Sequence, residues 1–266
     1  MRLTFATDLH GQMLLIERFF KHSVHNSADV IILGGDICPR AFASMEHRIS
    51  TQRDFLTKQF IPLLEKFNKN HPDKMLFAMF GNDDYRSNYP LMEAAEQKGI
   101  FHLIHKGSHR AWSQIIIGCQ YINTSPFALK DWEKDDYKTI VLKGVTTTPR
   151  EDWSPLIEDL KALKTSDMRK TILVTHAPPF GTALDMIHSG EHVGSKAIAD
   201  FIREKQPLLA FSGHIHESSQ VSGRWQENIG KTPCMNPGSD PFRNKSSMLI
   251  VDITGNTVIN AQRTPI

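Results

Sequence analysis

Seven side chains in this sequence have the types and spacing to gather metal ions. Asp8 and His10 lie two residues apart in Phe5–Gly11, FATDLHG. Asp36 closes Gly34-Gly35-Asp36, Asn82 follows Gly81 in Gly81-Asn82-Asp83-Asp84, and His176 opens His176-Ala177-Pro178-Pro179. His214 and His216 flank Ile215 in Gly213-His214-Ile215-His216. Alternate residues of an extended segment share a side, so Asp8 and His10 are expected to aim at one spot. The set mixes imidazole nitrogen with carboxylate and amide oxygen and has no thiolate. Such ligands suit manganese, iron or zinc better than a closed structural zinc site. Seven is too many for one ion and the right number for two ions that share a carboxylate. A pair of ions roughly 3.5–4 Å apart is a known device for attacking phosphate esters. Taken singly, each piece has a plainer reading. Asp36 and Asn82 could be turn residues, His176 a strand end, and His214 and His216 a strand facing solvent.

The elements that must position these groups alternate. Met1–Ala6 reads as a buried strand, and Leu14–His25 as a helix with Leu15, Phe19 and Phe20 on one face. Asp29–Leu33 is an apolar strand ending at Asp36, and Ser50–Asn68 is a long amphipathic helix. Met75–Phe80 is a strand ending at Asn82. Strand-helix alternation argues for a parallel sheet, and such sheets collect ligands at the carboxyl ends of their strands. Farther on, Pro90–Lys98 is expected to be helical and Trp112–Cys119 extended. Ser125–Tyr137, SPFALKDWEKDDY, is acidic and aromatic and reads as an ordered surface loop. Trp132 and Tyr137 within it could form a substrate wall or a dimer contact. Trp153–Leu163 reads as a helix, Lys170–Thr175 as a strand, Phe180–His192 as a long loop, Gly194–Glu204 as a helix and Leu208–Phe211 as a strand. Asn236-Pro237-Gly238-Ser239 is a sharp turn. Ser247–Ile253 and Thr257–Ala261 make a hairpin. There is no repeat or low-complexity linker, so residues 1–266 are expected to form a single domain.

Lys and Arg number 31 against 29 Asp and Glu, a net charge of +2 with no block of one sign. That balance gives no polyanion-binding tail, and nucleic acid is a disfavoured partner. Three scattered cysteines, Cys38, Cys119 and Cys234, fit a reducing compartment without a disulfide framework. The N-terminus enters a strand without a signal-like segment, and no apolar run approaches the roughly 20 residues that cross a bilayer. A soluble, cytoplasmic protein without a membrane partner is expected. A homo-oligomer is compatible with the sequence.

D-x-H, G-G-D, G-N-D-D, T-H-A-P-P and G-H-I-H, in that order, resemble the calcineurin-like metallophosphoesterase superfamily, and N-P-G-S extends the match to Ser239. Thr175–His216 carries HAPPFGTALD, HVGS and QPLLAFSGHIHE, similar to the subgroup related to bacterial cyclic-nucleotide phosphodiesterases. The resemblance implies an α/β fold, a four-layer α/β/β/α sandwich of two mixed sheets flanked by helices. It implies that Asp8, His10 and His216 hold a first divalent ion, that Asn82, His176 and His214 hold a second, and that Asp36 bridges them. A water or hydroxide between the ions would attack phosphorus in line. Manganese is the implied cofactor, with iron, zinc and nickel as alternatives. The implied substrate is a small phosphate ester, a nucleotide among the candidates. His192, in HVGS, could touch the substrate phosphate, or could structure its loop.

One position departs from the family pattern, which usually reads G-N-H-[D/E]. Asp83 stands where a histidine near the leaving group would be. An ionised aspartate is a poor acid at neutral pH. Burial, or the neighbouring Asp84, could raise one carboxyl so that it serves as the acid, and Asp83 is the expected catalytic group. Otherwise the leaving group needs no acid. Competing readings are a catalytically weak or silent scaffold of this fold, and a nuclease. Gly34–Arg40, GGDICPR, lacks the continuation familiar in protein phosphatases. Arg40 and Arg86 are expected to be solvated, and Cys38 to be packing.

Overall fold

Runs of β-branched and leucine residues build the centre of the molecule, because such side chains pack well on a pleated surface buried on both faces. In a computed structural model, which describes residues 1–240, Arg243 and 245–266, these runs form two mixed sheets. The first holds β1 (Arg2–Ala6), β2 (Val30–Leu33), β3 (Met75–Ala78) and β4 (His102–Leu103), all parallel. The second begins with β5 (Ser108–Ala111), antiparallel to β6 (Gln114–Cys119), and continues in parallel through β7 (Thr171–Thr175) and β8 (Leu209–Phe211). Next come β9 (Gln226–Ile229) and β10 (Thr232–Met235), which pair with each other, β10 lying parallel to β8. The chain then returns to the first sheet with β11 (Ser239–Asp240), β12 (Lys245–Thr254) and β13 (Thr257–Pro265), β12 running antiparallel to β1.

Side-chain alternation along these strands makes the layers. Leu3, Phe5, Val30, Ile32 and Phe77 point inward and share one buried cluster with Ile116, Ile172, Val174, Leu209 and Phe211. Phe5 and Phe211 stack across the sheets with ring centroids 4.6 Å apart. The alternate residues, among them Ile31, Leu33, Ile117 and Leu173, belong to the cluster that takes in the helices. These are α1 (Met13–His25), α2 (Met45–Phe55), α3 (Ile61–Asn70) and α4 (Tyr89–Gln97) in the first half, and α5 (Leu156–Ala162), α6 (Lys196–Lys205) and α7 (Ser218–Val221) in the second. Phe20, Ile31, Leu33, Leu64, Leu76 and Phe101 meet around one small apolar gap. The result is the four-layer α/β/β/α sandwich that the resemblance implies.

Two stretches differ from the sequence reading. The helix expected over Ser50–Asn68 starts earlier, at Met45, where Ser44 accepts the His47 N–H. It carries a π turn over Leu56–Phe60 and continues as α3. Pro62 is the cause: it lacks an N–H and its ring clashes with the carbonyl four residues back, and one wider turn accommodates both. The loop Ser125–Tyr137 is ordered, but its centre is not surface. Lys130, Asp131, Trp132, Glu133 and Lys134 are all buried. Their polar atoms are satisfied inside the protein, as in the Lys130–Glu133 ion pair at 2.6 Å and the Lys134–Asp159 pair at 2.5 Å. Among the described residues no helix is long and apolar enough to cross a membrane.

Candidate metal centre and active site

Six of the seven candidate ligands sit just past strand ends: Asp8 and His10 after β1, Asp36 after β2, Asn82 after β3, His176 after β7 and His214 after β8, with His216 two residues on. Alternation is not what aims them. β1 stops at Ala6, and Asp8 and His10 have φ of 56° and 43°; Asp36 and His214 follow suit at 49° and 65°. Four candidate ligands therefore sit in the left-handed region, which side-chain-bearing residues adopt rarely and mostly at functional sites. Backbone bonds hold the turns there. Asp8 N–H donates to Gly35 O at 3.0 Å, and His10 N–H donates to Asp36 O at 2.9 Å.

Two groups form around Asp36. In the first, His10 Nε2 lies 3.2 Å from His216 Nε2, and His216 Nε2 lies 3.4 Å from Asp8 Oδ1. Asp36 Oδ2 faces this group, 3.7 Å from His10 Nε2. In the second, His176 Nε2 lies 3.1 Å from Asn82 Oδ1 and 3.4 Å from Asp36 Oδ1, with the His214 ring centred 5.4 Å from that of His176. Asp8, His10, Asp36 and His216 each bring a donor atom within 4.8 Å of the rest. His176 Nδ1–H donates to Gly34 O at 3.0 Å, which leaves the Nε2 lone pair for the centre, the usual tautomer of a metal-bound imidazole. Glycines make the room. A Cβ on Gly35 would stand 2.5 Å from His176 Nδ1, and one on Gly81 would collide with Asp36 Oδ1.

The electrostatics call for cations. Burial opposes charge on Asp36 and Asp8, yet both carboxyls are held below the usual range, Asp36 by His176 and His10, Asp8 by His216 and His176. Burial also opposes charge on His176, but Asp36 and Asp8 raise it to about 10; Asp8 raises His216 in the same way. Burial lowers His10 and His214 to about 3. Two buried carboxylates thus retain their charge and draw protons onto two imidazoles when only protons are on offer. Asp36 Oδ2, fully buried, accepts no hydrogen bond from a described residue. An orphaned carboxylate oxygen among imidazole nitrogens is a poor arrangement for a protein alone and a good one for a divalent ion, so the residues fit the metals.

The centre opens into a cavity of about 750 Å³ whose lining includes Arg40, Asn82, His192, His214 and His216. A calcineurin-like phosphoesterase family model matches residues 1–218. The chain belongs to that family. It is a hydrolase acting on phosphoester bonds. An uncharacterized protein of Methanocaldococcus jannaschii, MJ1162, is 26% identical over 95% of this chain and 96% of its own length. Among solved structures, TT1561 of Thermus thermophilus is similar at a TM-score of 0.63, with 16% identity over 99% of this chain and 97% of that one. A dimetal phosphatase from Danio rerio is similar at 0.56, with 10% identity over 98% of both chains. These likenesses confirm the phosphoesterase fold.

The two aspartates after Asn82 divide sharply in this phosphoesterase. Asp84 is wholly buried and accepts the N–H groups of Cys38 (2.7 Å), Gly81 (2.8 Å) and Ile37 (3.1 Å), which ties the Asp36 turn to the Asn82 turn. Asp83 reaches the cavity through Arg40, which lines it. It pairs with Arg40, and its Oδ2 lies 3.9 Å from His10 Nδ1. Burial and then Asp36 push Asp83 up to about 6 against the pull of Arg40. Arg40, expected to be solvated, is a cavity residue, and Arg86 is partly buried over the Trp132 ring at 5.4 Å. Trp132 is no substrate wall, since its Nε1–H donates to Asp84 O at 2.7 Å inside the protein; Tyr137 does line the cavity.

Three supporting residues escaped the sequence reading. Asn236 Nδ2 lies 3.1–3.3 Å from the carbonyls of Gly213, Leu184 and Ile215, and so fixes the turn that carries His214 and His216. Ser239 Oγ, at the other end of the same N-P-G-S turn, donates to Asp8 O at 3.0 Å. Asp185, fully buried, accepts the N–H groups of Gly181, Thr182 and Gly194 and lies 2.7 Å from His192 Nδ1. Both stretches, N-P-G-S and HAPPFGTALD, are visible as motifs; the partners of Asn236 and Ser239 are distant in the chain, while those of Asp185 lie within nine residues.

Proposed function

We propose that the chain hydrolyses the phosphodiester or phosphomonoester bond of a small substrate at a two-ion centre. Asp8, His10 and His216 hold one ion, Asn82, His176 and His214 the other, and Asp36 spans the two. The observation that carries this reading is the placement of Asp36, one oxygen toward His10 and the other toward His176. Bound there, two divalent ions would activate water as the nucleophile and neutralise charge on the phosphoryl oxygens. Manganese is the favoured pair, with iron, zinc and nickel as alternatives that the same nitrogen and oxygen ligands accept.

The chain's own residues do the rest. Arg40 and Lys196, both lining the cavity, attract the substrate anion. His192, held by Asp185, contacts a phosphate oxygen and fixes the pose. Asp83 is the group placed to protonate a departing alkoxide, and its raised pKa supports that role at mildly acidic pH. Phe127 and Phe180 present bare apolar surface to the same cavity, 54% and 37% exposed, with Tyr137 beside them. A planar aromatic group on the substrate would cover that surface, which favours a nucleotide.

The test is metal add-back. Apo protein receives Mn, Fe, Zn, Ni or Mg separately and is assayed on nitrophenyl mono- and diesters, then on a nucleotide panel. Turnover with at least one ion, at two ions per active centre, is the expected result. No turnover of either ester with any ion would leave only the scaffold reading.

A further inference from the structure

A second ligand-like cluster lies where the chain crosses from one sheet to the other. Glu96 comes from α4, His102 from β4 and His109 from β5. β4 is an edge strand of the first sheet and β5 an edge strand of the second. Each of the three side chains brings one donor atom within 4.8 Å of the other two, and all three are half-buried. None of them lines the large cavity, so the cluster is separate from the phosphoesterase centre.

The cluster is organised by a single residue. Leu103 donates its N–H to Glu96 Oε1 at 2.7 Å and accepts from His109 Nε2 at 2.7 Å. The first bond fixes the carboxylate and leaves Oε2 open. The second fixes the tautomer of His109 and leaves Nδ1 with a lone pair, as metal-bound histidines are arranged through their other nitrogen. Neither ring nitrogen of His102 hydrogen-bonds another described residue. The two rings lie 5.1 Å apart, and Phe77 packs against both at 5.1 and 5.9 Å, an apolar floor. Room for His109 depends on Gly107, where a Cβ would stand 2.7 Å from Nε2.

We propose that Glu96, His102 and His109 bind one zinc ion, with water as the fourth ligand, as a clip between the edges of the two sheets. Two imidazoles and a carboxylate without a thiolate are a zinc-like set, and a partly exposed position suits a water ligand. Donors about 2.1 Å from a tetrahedral zinc lie about 3.4 Å from one another, so closing the cluster takes at most about 1.4 Å of side-chain movement. The ion would bind only the folded chain, and so would stabilise it by mass action.

The experiment uses the full chain with Asp36→Asn, which disables the phosphoesterase centre and leaves the clip intact. Zinc titration should give one tight site per chain and a rise in melting temperature. Adding His102→Gln, or Glu96→Gln, which keeps an oxygen for the Leu103 N–H, should weaken that site by more than about 100-fold, beyond what loss of an outer hydrogen-bond partner brings. Both effects should vanish together. Circular dichroism checks that each variant folds. Equal zinc affinity with and without His102→Gln overturns the clip. Should Asp36→Asn still bind as much metal as the unaltered chain, while His102→Gln removes one ion, the clip stands and the cradle holds its ions without Asp36.

Discussion

The metal cradle and the cavity rim above it are built in opposite ways. In the cradle Asp8, His10, Asp36, Asn82 and His176 are at most 4% exposed, and several sit in left-handed turns locked by backbone bonds. At the rim, Phe127, Tyr137 and Phe180 are 37–54% exposed and stand on long connections between strands. Strain and burial are tolerated where chemistry needs fixed geometry, and exposure where a substrate must enter and be recognised. Cradle changes should therefore abolish turnover whatever the substrate, and rim changes should alter which substrate is preferred.

The largest effect belongs to Asp36, which turns one carboxylate oxygen to each group. Asp36→Asn is expected to lower kcat on every ester by at least about 10³-fold and to release bound metal, measured by turnover and metal content together. Loss of activity without loss of metal would mean that the cradle holds its ions by other residues.

Asp83 stands at the border of the two regions, and its effect should depend on the leaving group. Burial and Asp36 push its carboxyl up to about 6 in the metal-free protein, and bound cations would draw it below that. A general acid must be protonated to act, so kcat on an alkyl ester should fall as pH rises, with a midpoint no higher than about 6. Asp83→Asn should remove this fall and cost roughly 10²-fold on alkyl esters, yet little on nitrophenyl esters, whose leaving group needs no proton. An equal loss on both would remove Asp83 from the chemistry and leave it as a partner for Arg40.

Asn236 tests whether the cradle is positioned from outside. Asn236→Ala leaves all seven ligands in place but frees the turn that carries His214 and His216. A tenfold or so drop in metal affinity is expected, within the range seen when supporting partners of ligands are removed. An unchanged affinity would show that the left-handed turns hold themselves.

The same contrast explains what the sequence could tell. The candidate ligand cluster and the strands were legible because a parallel sheet ends its buried runs at the site, and a short apolar run followed by a glycine and a polar residue marks such an end. The local reason was misjudged: Asp8 and His10 converge through positive φ, not through alternation, and φ is not written in a side-chain pattern. Asp84 and Trp132 were harder. Each is defined by a bond to a residue far away in the chain or hidden in another turn, and a polar composition such as DWEKDD looks solvated until its internal partners are known. The rim was least legible, because its residues share a surface only after two separate connections have folded onto the cradle.

The smallest predicted effect is the one that defines the rim. Phe127→Ala removes an exposed ring from the cavity wall and touches no ligand. If the rim reads an aromatic portion of the substrate, KM for a nucleotide should rise about three- to tenfold, the loss of one stacking contact of roughly 0.5–1.5 kcal/mol. KM for a phosphate ester without an aromatic group should stay the same, and kcat should hold for both, because the cradle is unaltered. A uniform change across the two esters would mean that Phe127 shapes its loop and does not recognise the substrate. A fall in kcat alone would mean that rim and cradle are coupled, and that burial does not insulate the ions from the loops above them.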